Sequence, residues 1–346
     1  MRAVIIHAPR DLRVEPYTVA EPGPQQVKVR VGAGGICGSD LHYYQHGGFG
    51  TVRIKEPMVL GHEVAGTVIA TGADVTKVRK GDRIAINPSN PCFKCKFCLE
   101  GAHHQCLDMR FYGSAMRFPH VHGAFRSEIV IEEHQAFPVS ENVSLGEAAF
   151  AEPLSVCLRA VARAGALHGK RVLITGCGPI GCLTIIAARN AGALEIVAAD
   201  VATAALTMAR RVGADRALDV GQDREALAPF GTDKGYFDVA FECSGTAQAL
   251  GAALQAVRAG GTLVQVGLAG AEVPVPINMI VAKEISLKGT FRFDAEFSFA
   301  VDLISRRAVD VTPLLTETLP VERAVEAFEL ASDRSRAMKV QLSFAD

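Results

Sequence analysis

Cys92, Cys95, Cys98 and Cys106 place four thiols within fifteen residues, in the stretch PCFKCKFCLEGAHHQC. The spacing is C-x2-C-x2-C-x7-C, and four thiolates this close can surround one tetrahedral zinc without ligands from elsewhere. A site with four protein ligands has no open coordination position, so it serves structure and not reaction. Two disulfides are the competing reading, disfavoured because nothing else in the chain suggests secretion. A second group lies upstream: Cys37 in GGICGSDLHYY, and His62 and Glu63 in LGHEVAGTV. Alone, each is weak, since a lone cysteine is usually an inert thiol and a His-Glu pair usually lies on a surface. Together, three ligands of mixed type leave a fourth position for water or substrate, the pattern of a catalytic zinc. Gly34, Gly35, Gly38, Gly61 and Gly66 flank these ligands, as backbone that turns sharply or packs closely requires. Asp40 is placed to orient the His62 ring.

A third pattern follows in KRVLITGCGPIGCLTIIAARNAGALEIVAAD. A β-branched run, Val172 to Thr175, reads as a buried strand. Gly176, Gly178 and Gly181 then spell G-x-G-x-x-G, with Pro179 and Ile180 between, and an Ala/Ile-rich helix follows. A second strand, Ile196 to Ala199, ends in Asp200. Strand, tight turn, helix N-terminus, strand and acid together make the dinucleotide fingerprint. Helix N-terminal amides would take the pyrophosphate and Asp200 a ribose hydroxyl. Asp200 would repel a 2′-phosphate, so NAD is expected over NADP. Arg210 and Arg211 lie a helical turn or more further on and are expected to face solvent.

The elements around these motifs change character near residue 150. Up to about 148 the chain is short strands broken by Gly and Pro: Val27–Val31, Gly66–Thr71, Arg83–Ile86 and Glu128–Ile131. Beyond it, strands alternate with alanine-rich helical stretches: Arg171–Thr175, Glu195–Ala199, Val239–Glu242, Thr262–Val266 and Ile285–Gly289. Such alternation predicts a doubly wound parallel sheet, hence an α/β chain. In the mixed tail, Val321–Leu330 is amphipathic, with Ala324, Val325, Ala327 and Phe328 on one side. We expect a nucleotide domain over 149–289, inserted into a β-rich catalytic domain formed by 1–148 and 290–346, with a cleft at the seam. The 346 residues carry a net charge of −1, which excludes the basic surface that nucleic acid demands. No stretch approaches the roughly 20 apolar residues of a membrane helix, and nine cysteines in such a chain point to a reducing cytoplasm.

Gly61-His62-Glu63, Gly66, Gly72 and Val75 resemble the signature of the zinc-containing medium-chain alcohol dehydrogenases. Glu152-Pro153-Leu154-Ser155-Val156 and Phe291-Arg292-Phe293 resemble its polyol (sorbitol) dehydrogenase branch. The resemblance implies a GroES-like catalytic domain, a Rossmann domain, two zincs per subunit and oxidation of a secondary alcohol by a nicotinamide cofactor. It implies a proton relay through Ser39 and His42, and acid–base work by Glu152 beside the zinc-bound water. Val266, Gly267, Leu268, Phe291 and Arg292 would join the cofactor site, and Tyr43, Glu152 and Arg292 would contact substrate. Where relatives carry an Arg five residues beyond the ribose acid, this chain has Ala205, leaving no adjacent cation for NADP. A guanidinium such as Arg292 also suits the carboxylate of a sugar acid. In the loop Phe111–Phe125, Arg117, His120 and His122 are further candidates, each more commonly a solvated loop residue. The expected partners are a small sugar acid or polyol and copies of the same chain, as a dimer through Ile285–Gly289 or a tetramer. Two other readings compete. A zinc-free quinone or enoyl reductase lacks a use for the ligand residues, and a zinc-ribbon nucleic-acid binder lacks a use for the dinucleotide fingerprint.

Overall fold

The computed structural model describes residues 1–269 and 272–344. Its chain divides into two compact units, Met1–Glu152 with Phe297–Asp346, and Pro153–Glu296. These divisions fall a few residues beyond the boundaries expected from composition.

The first unit is built on a seven-stranded sheet. Its path runs Ala136–Pro138, Arg83–Ile86, Glu63–Thr71, Gln26–Gly35, Lys339–Ser343 and Leu315–Pro320, and Glu128–Glu132 also pairs with Gln26–Gly35. A smaller sheet joins Asp11–Pro16, Arg2–Ala8 and Met58–Val59. The strands alternate because one face is buried. Val27, Val29 and Val31 are fully buried on Gln26–Gly35, and they pack with Ile84, Ile86, Ile129, Phe125 and Leu342. The last strand, Lys339–Ser343, lies next to Gln26–Gly35, so the carboxyl-terminal segment completes the sheet begun by the amino-terminal one. The tail segment folds as a 3₁₀ turn, Val321–Arg323, and a helix, Ala324–Ser332. Ala324, Ala327 and Phe328 form its buried stripe, but Val325 is 47% exposed, because i, i+3 and i+4 share a helical face and i+1 does not.

The second unit is a six-stranded, all-parallel sheet in the order Arg216–Asp219, Glu195–Asp200, Arg171–Thr175, Phe237–Glu242, Val257–Gln265 and Ser286–Gly289. Numbered along the chain this is 3-2-1-4-5-6, the doubly wound Rossmann order. The edge strand Arg216–Asp219 was not anticipated: RALD is short and carries no β-branched residue, so pairing with Glu195–Asp200 makes it a strand. The central strands are buried on both faces, with Val172, Leu173 and Ile174 all fully enclosed. Among the described residues no helix is long and apolar enough to cross a membrane.

Candidate functional site

Cys37, His62 and Glu63 converge in the first unit, one ligand atom from each lying within 4.8 Å of the others. Cys37 caps the amino end of the helix Gly38–His46, just past the strand Gln26–Gly35. His62 and Glu63 enter the neighbouring strand, where Glu63 pairs with Gly35. That register gives Gly35 its identity. A Cβ there would stand 2.2 Å from Glu63 Oε2, so the glycine leaves the slot through which the carboxylate crosses its neighbour. At Gly61, φ is +92° and a Cβ would meet the Phe125 ring at 2.1 Å, so the turn before His62 requires glycine.

On the far side of Gly35, Lys339 reaches back, its Nζ donating to Glu63 Oε1 at 2.8 Å, Oε2 at 2.7 Å and the Ile36 carbonyl at 3.1 Å. Lys339 is 4% exposed and Glu63 1%. Burial lowers the Lys339 pKa, but the charges of Glu63 and Cys37 outweigh it and hold the ammonium above its ordinary value. Each Glu63 oxygen keeps a lone pair beyond the one that accepts from Lys339. Sequence reasoning missed Lys339. The available signal was one lysine opening the terminal strand KVQLS, in which Val340 and Leu342 alternate with polar residues.

Asp40 is fully buried, and burial raises its pKa. It was expected to orient the His62 ring. Its two oxygens accept from the amides of Cys37 (3.0 Å) and Gly61 (3.2 Å), tying together the backbone ahead of both ligand positions. His62 Nδ1 lies 3.8 Å from Asp40 Oδ1 and is buried without a hydrogen-bond partner. Closing that gap by less than about 1 Å would make the imidazole–carboxylate contact typical of metal-bound histidines. Burial, with Glu63 adding, pushes the Cys37 thiol up to about 12, and burial pushes Glu152 up to about 8. A half-buried thiol with a buried imidazole and carboxylate and one internal lysine forms a donor set suited to a divalent zinc ion.

Cys92, Cys95, Cys98 and Cys106 form the other cluster. Cys95 Sγ lies 3.6 Å from Cys98 Sγ and 4.0 Å from Cys106 Sγ. A tetrahedral site with zinc–sulfur bonds of about 2.3 Å requires sulfur separations of about 3.8 Å, so the cage has the right size. Backbone amides of Cys92, Cys95, Leu107 and Asp108 donate to these sulfurs at 3.2 to 3.5 Å. The amide of Leu107 leads in drawing Cys95 down to about 6. Among the described residues all nine cysteines are free thiols.

Of the other candidates in this unit, Glu152 is 5% exposed and stands in the first turn of the helix Ala151–Ala164. Ser39 is half-buried and His42 exposed on the helix Gly38–His46, with burial and His46 holding the His42 imidazole below its usual value. Tyr43, on the same helix, is 2% exposed and its hydroxyl accepts the Ala115 amide at 3.0 Å. The loop cations are also engaged. Arg117 pairs with Asp108, His120 is buried between the Arg117 carbonyl and the Lys55 amide, and His122 Nδ1 accepts from Val59. The solvated character expected of His120 therefore does not hold; its loop folds back on Lys55 and Glu56.

The nucleotide motif lies in the second unit. Gly176, at φ +84°, ends the first strand, and Gly178 is the N-cap of the helix Pro179–Asn190. A Cβ on Gly181 would stand 1.8 Å from the Gly176 carbonyl, whereas one on Gly178 would meet nothing within 4 Å. The turn is thus closed underneath and open above, where a pyrophosphate can approach the helix amides. Asp200 accepts from Cys177 (2.6 Å) and Ala202 (2.8 Å). Ala205 is buried, and Arg210 reaches the Ala217 carbonyl. Val266 and Gly267 donate to the Glu242 carbonyl, leading into the exposed Leu268. Arg292, at φ +52°, stacks over the Phe291 ring at 4.8 Å. Thr175 Oγ1, Gln265 Oε1 and Thr290 Oγ1 are buried without partners at or just past the carboxyl ends of their strands. An open α/β sheet binds its ligand at that end.

Two clustered ligand sets on a GroES-like unit, in one chain with a Rossmann sheet, define a zinc-binding dehydrogenase. Residues 23–141 match the alcohol dehydrogenase GroES-like domain and residues 179–306 the zinc-binding dehydrogenase domain. The chain is 46% identical to L-idonate 5-dehydrogenase (NAD(P)(+)) of Escherichia coli (strain K12) over 316 residues, 91% of either chain. It is 36% identical to sorbitol dehydrogenase of Bos taurus over 349 aligned positions, 98% of this chain and 95% of the other. The crystal structure of L-idonate 5-dehydrogenase from Escherichia coli str. K-12 substr. MG1655 superposes with a TM-score of 0.92, covering 99% of this chain and 97% of that one at 42% identity. The chain belongs to the zinc-binding alcohol dehydrogenase family, and it is an oxidoreductase of that family.

Proposed function

We propose that this enzyme oxidises the C5 hydroxyl of an aldonate, L-idonate to 5-keto-D-gluconate, with NAD as the preferred acceptor and two zincs per chain. The convergence of Cys37, His62 and Glu63 carries the chemistry, and the likeness to the L-idonate enzyme carries the substrate. In the reaction the C–H hydrogen leaves as hydride to the nicotinamide C4, the hydroxyl proton is released, and a ketone remains. Cys37, His62 and Glu63 would hold one zinc, and Cys92, Cys95, Cys98 and Cys106 the other. A zinc with one open position supplies a Lewis acid that makes a hydroxyl acidic near neutral pH. Lys339 shares the charge of Glu63 and keeps that carboxylate pointed at the site. Glu152, raised towards neutrality, can hold and pass a proton at its carboxyl oxygen. Ser39 and the exposed His42 offer a route for that proton to solvent. Arg292 is the cation assigned to the sugar-acid carboxylate.

What favours NAD is Asp200 at the end of the second strand, with Ala205 where a cation would be needed to accept a 2′-phosphate. Among the described residues Ser286–Gly289 is an edge strand of the second unit, paired with Val257–Gln265 alone, and pairing with a second copy along that edge is the homo-oligomer we favour. A panel of L-idonate, D-gluconate, sorbitol and xylitol, each with NAD and NADP, tests the reading through kcat/KM. We expect L-idonate to exceed sorbitol by about ten- to hundredfold, the range a charge-assisted contact provides, and NAD to exceed NADP. Preference for sorbitol or xylitol would assign the chain to the polyol activity instead, the reading favoured by its 36% identity to sorbitol dehydrogenase.

A further inference from the structure

Glu242 ends the fourth strand of the parallel sheet, next to Thr175 of the first strand, at the point where the strand order reverses. It is fully buried, and no lysine or arginine pairs with it among the described residues. All its partners are loop and strand-end donors. Oε1 accepts from the Ser244 amide at 2.7 Å, the Ser244 hydroxyl, and the Gly245 amide at 3.1 Å. Oε2 accepts from the Gly245 amide at 2.9 Å and from Gln265 Nε2. The same Gln265 amide group donates to the Gly267 carbonyl at 2.8 Å.

The segment so held is packed between two others. A Cβ on Gly176 would lie 2.7 Å from the Ser244 amide nitrogen. One on Gly245 would lie 2.4 Å from the Leu268 carbonyl oxygen, and one on Gly267 2.3 Å from the Gly245 nitrogen. Three loops, after the first, fourth and fifth strands, therefore meet backbone to backbone, with glycine at each contact. A displacement of Ser244–Gly245 must move the glycine turn on one side or Gly267–Leu268 on the other.

We propose that Glu242 is a positioning residue for the dinucleotide: its carboxylate sets the Ser244–Gly245 loop, and through it the walls of the cofactor crevice formed by the Gly176–Gly181 turn and Val266–Leu268. The inference rests on the cofactor site assigned under Proposed function. A carboxylate suits this role because its two oxygens only accept, with capacity for all these donors. A glutamine would have one accepting oxygen and would turn its NH₂ towards a loop N–H or the Gln265 NH₂.

Glu242→Gln and Gln265→Leu test it in the zinc-loaded enzyme, with NADH titrated by its own fluorescence and NAD varied at saturating alcohol. In Glu242→Gln the NADH Kd and the NAD KM should rise about tenfold or more, as expected when hydrogen bonds to a charged group are lost. At saturating NAD, kcat should stay within about twofold and zinc content should hold, because the ligand clusters belong to the other unit. Gln265→Leu should move cofactor KM in the same direction by less. A folded Glu242→Gln whose NADH Kd equals wild type overturns the proposal, as does a fall in kcat with unchanged cofactor KM. If Glu242→Gln does not fold, an unchanged cofactor KM in Gln265→Leu overturns it. Wild-type protein that fails to bind NADH removes the cofactor site itself, and this proposal with it.

Discussion

At the scale of single residues, the pair Lys339–Glu63 has the clearest energetic consequence. Two buried charges satisfy one another across Gly35, and removing one leaves the other uncompensated. Breaking such a pair costs about 3–5 kcal/mol. A bound divalent ion on Glu63 would supply part of the lost compensation. Lys339→Met should therefore destabilise the chelator-treated protein by that amount and the zinc-loaded protein by clearly less. Thermal melting with and without zinc measures both. An equal loss in both states would mean that Lys339 acts on the strand and not on the metal ligand.

At the scale of elements, the cysteine lobe is a loop with little apolar core of its own, where Phe93, Leu99 and Leu107 are all more than half exposed. Its order must come from the thiol cage, since a closed zinc site contributes directly to folding. On the proposed reading of two zincs per chain, Cys95→Ser should lose one zinc by metal analysis and lower the melting temperature, while the Cys37 cluster keeps its ion. Retention of both zincs at an unchanged melting temperature would contradict a structural role. The sheet of the second unit is tied at its other end by Asp238, which accepts from the Arg171 amide (2.9 Å), Arg171 Nε (3.3 Å) and Arg258 Nε (2.7 Å). Burial raises its pKa, but the Arg171 amide and the two guanidinium groups outweigh it and bring the carboxyl down to about 2 from an ordinary 3.8. A lowered carboxylate contributes stability above its unfolded pKa, and that contribution is lost as pH falls from about 4 through 2. The amount is about 2 kcal/mol. The gap in urea midpoint between wild type and Asp238→Asn should be full at pH 6 and shrink by pH 3; a gap independent of pH would exclude the linkage.

At the scale of the whole molecule, a unit carrying two cysteine-containing clusters, interrupted by a parallel-sheet unit with a glycine turn, was legible because each motif is local. C-x2-C-x2-C-x7-C and G-x-G-x-x-G place their donors and turns within about one loop or one βα unit, so spacing alone limits what they can build. Alternating strands and alanine-rich helices likewise predict a parallel sheet from short-range pattern. Asp40 was the intermediate case. Its nearness to Cys37 was readable, but its partners proved to be two amides, one of them 21 residues away.

What tertiary structure alone decided are the contacts between distant segments. Lys339 and Glu63 are 276 residues apart and meet because the last strand of the first unit lies beside Gln26–Gly35. The Glu242 carboxylate joins loops that follow different strands, and the fold of 107–122 turns His120 inward. No periodicity encodes these pairings, because strand order is set by burial of whole sheet faces and not by neighbours in the chain. The residue types for two clusters that could hold a metal ion and for a glycine turn were written locally in the sequence; which buried charges support them depended on which strands came to lie side by side.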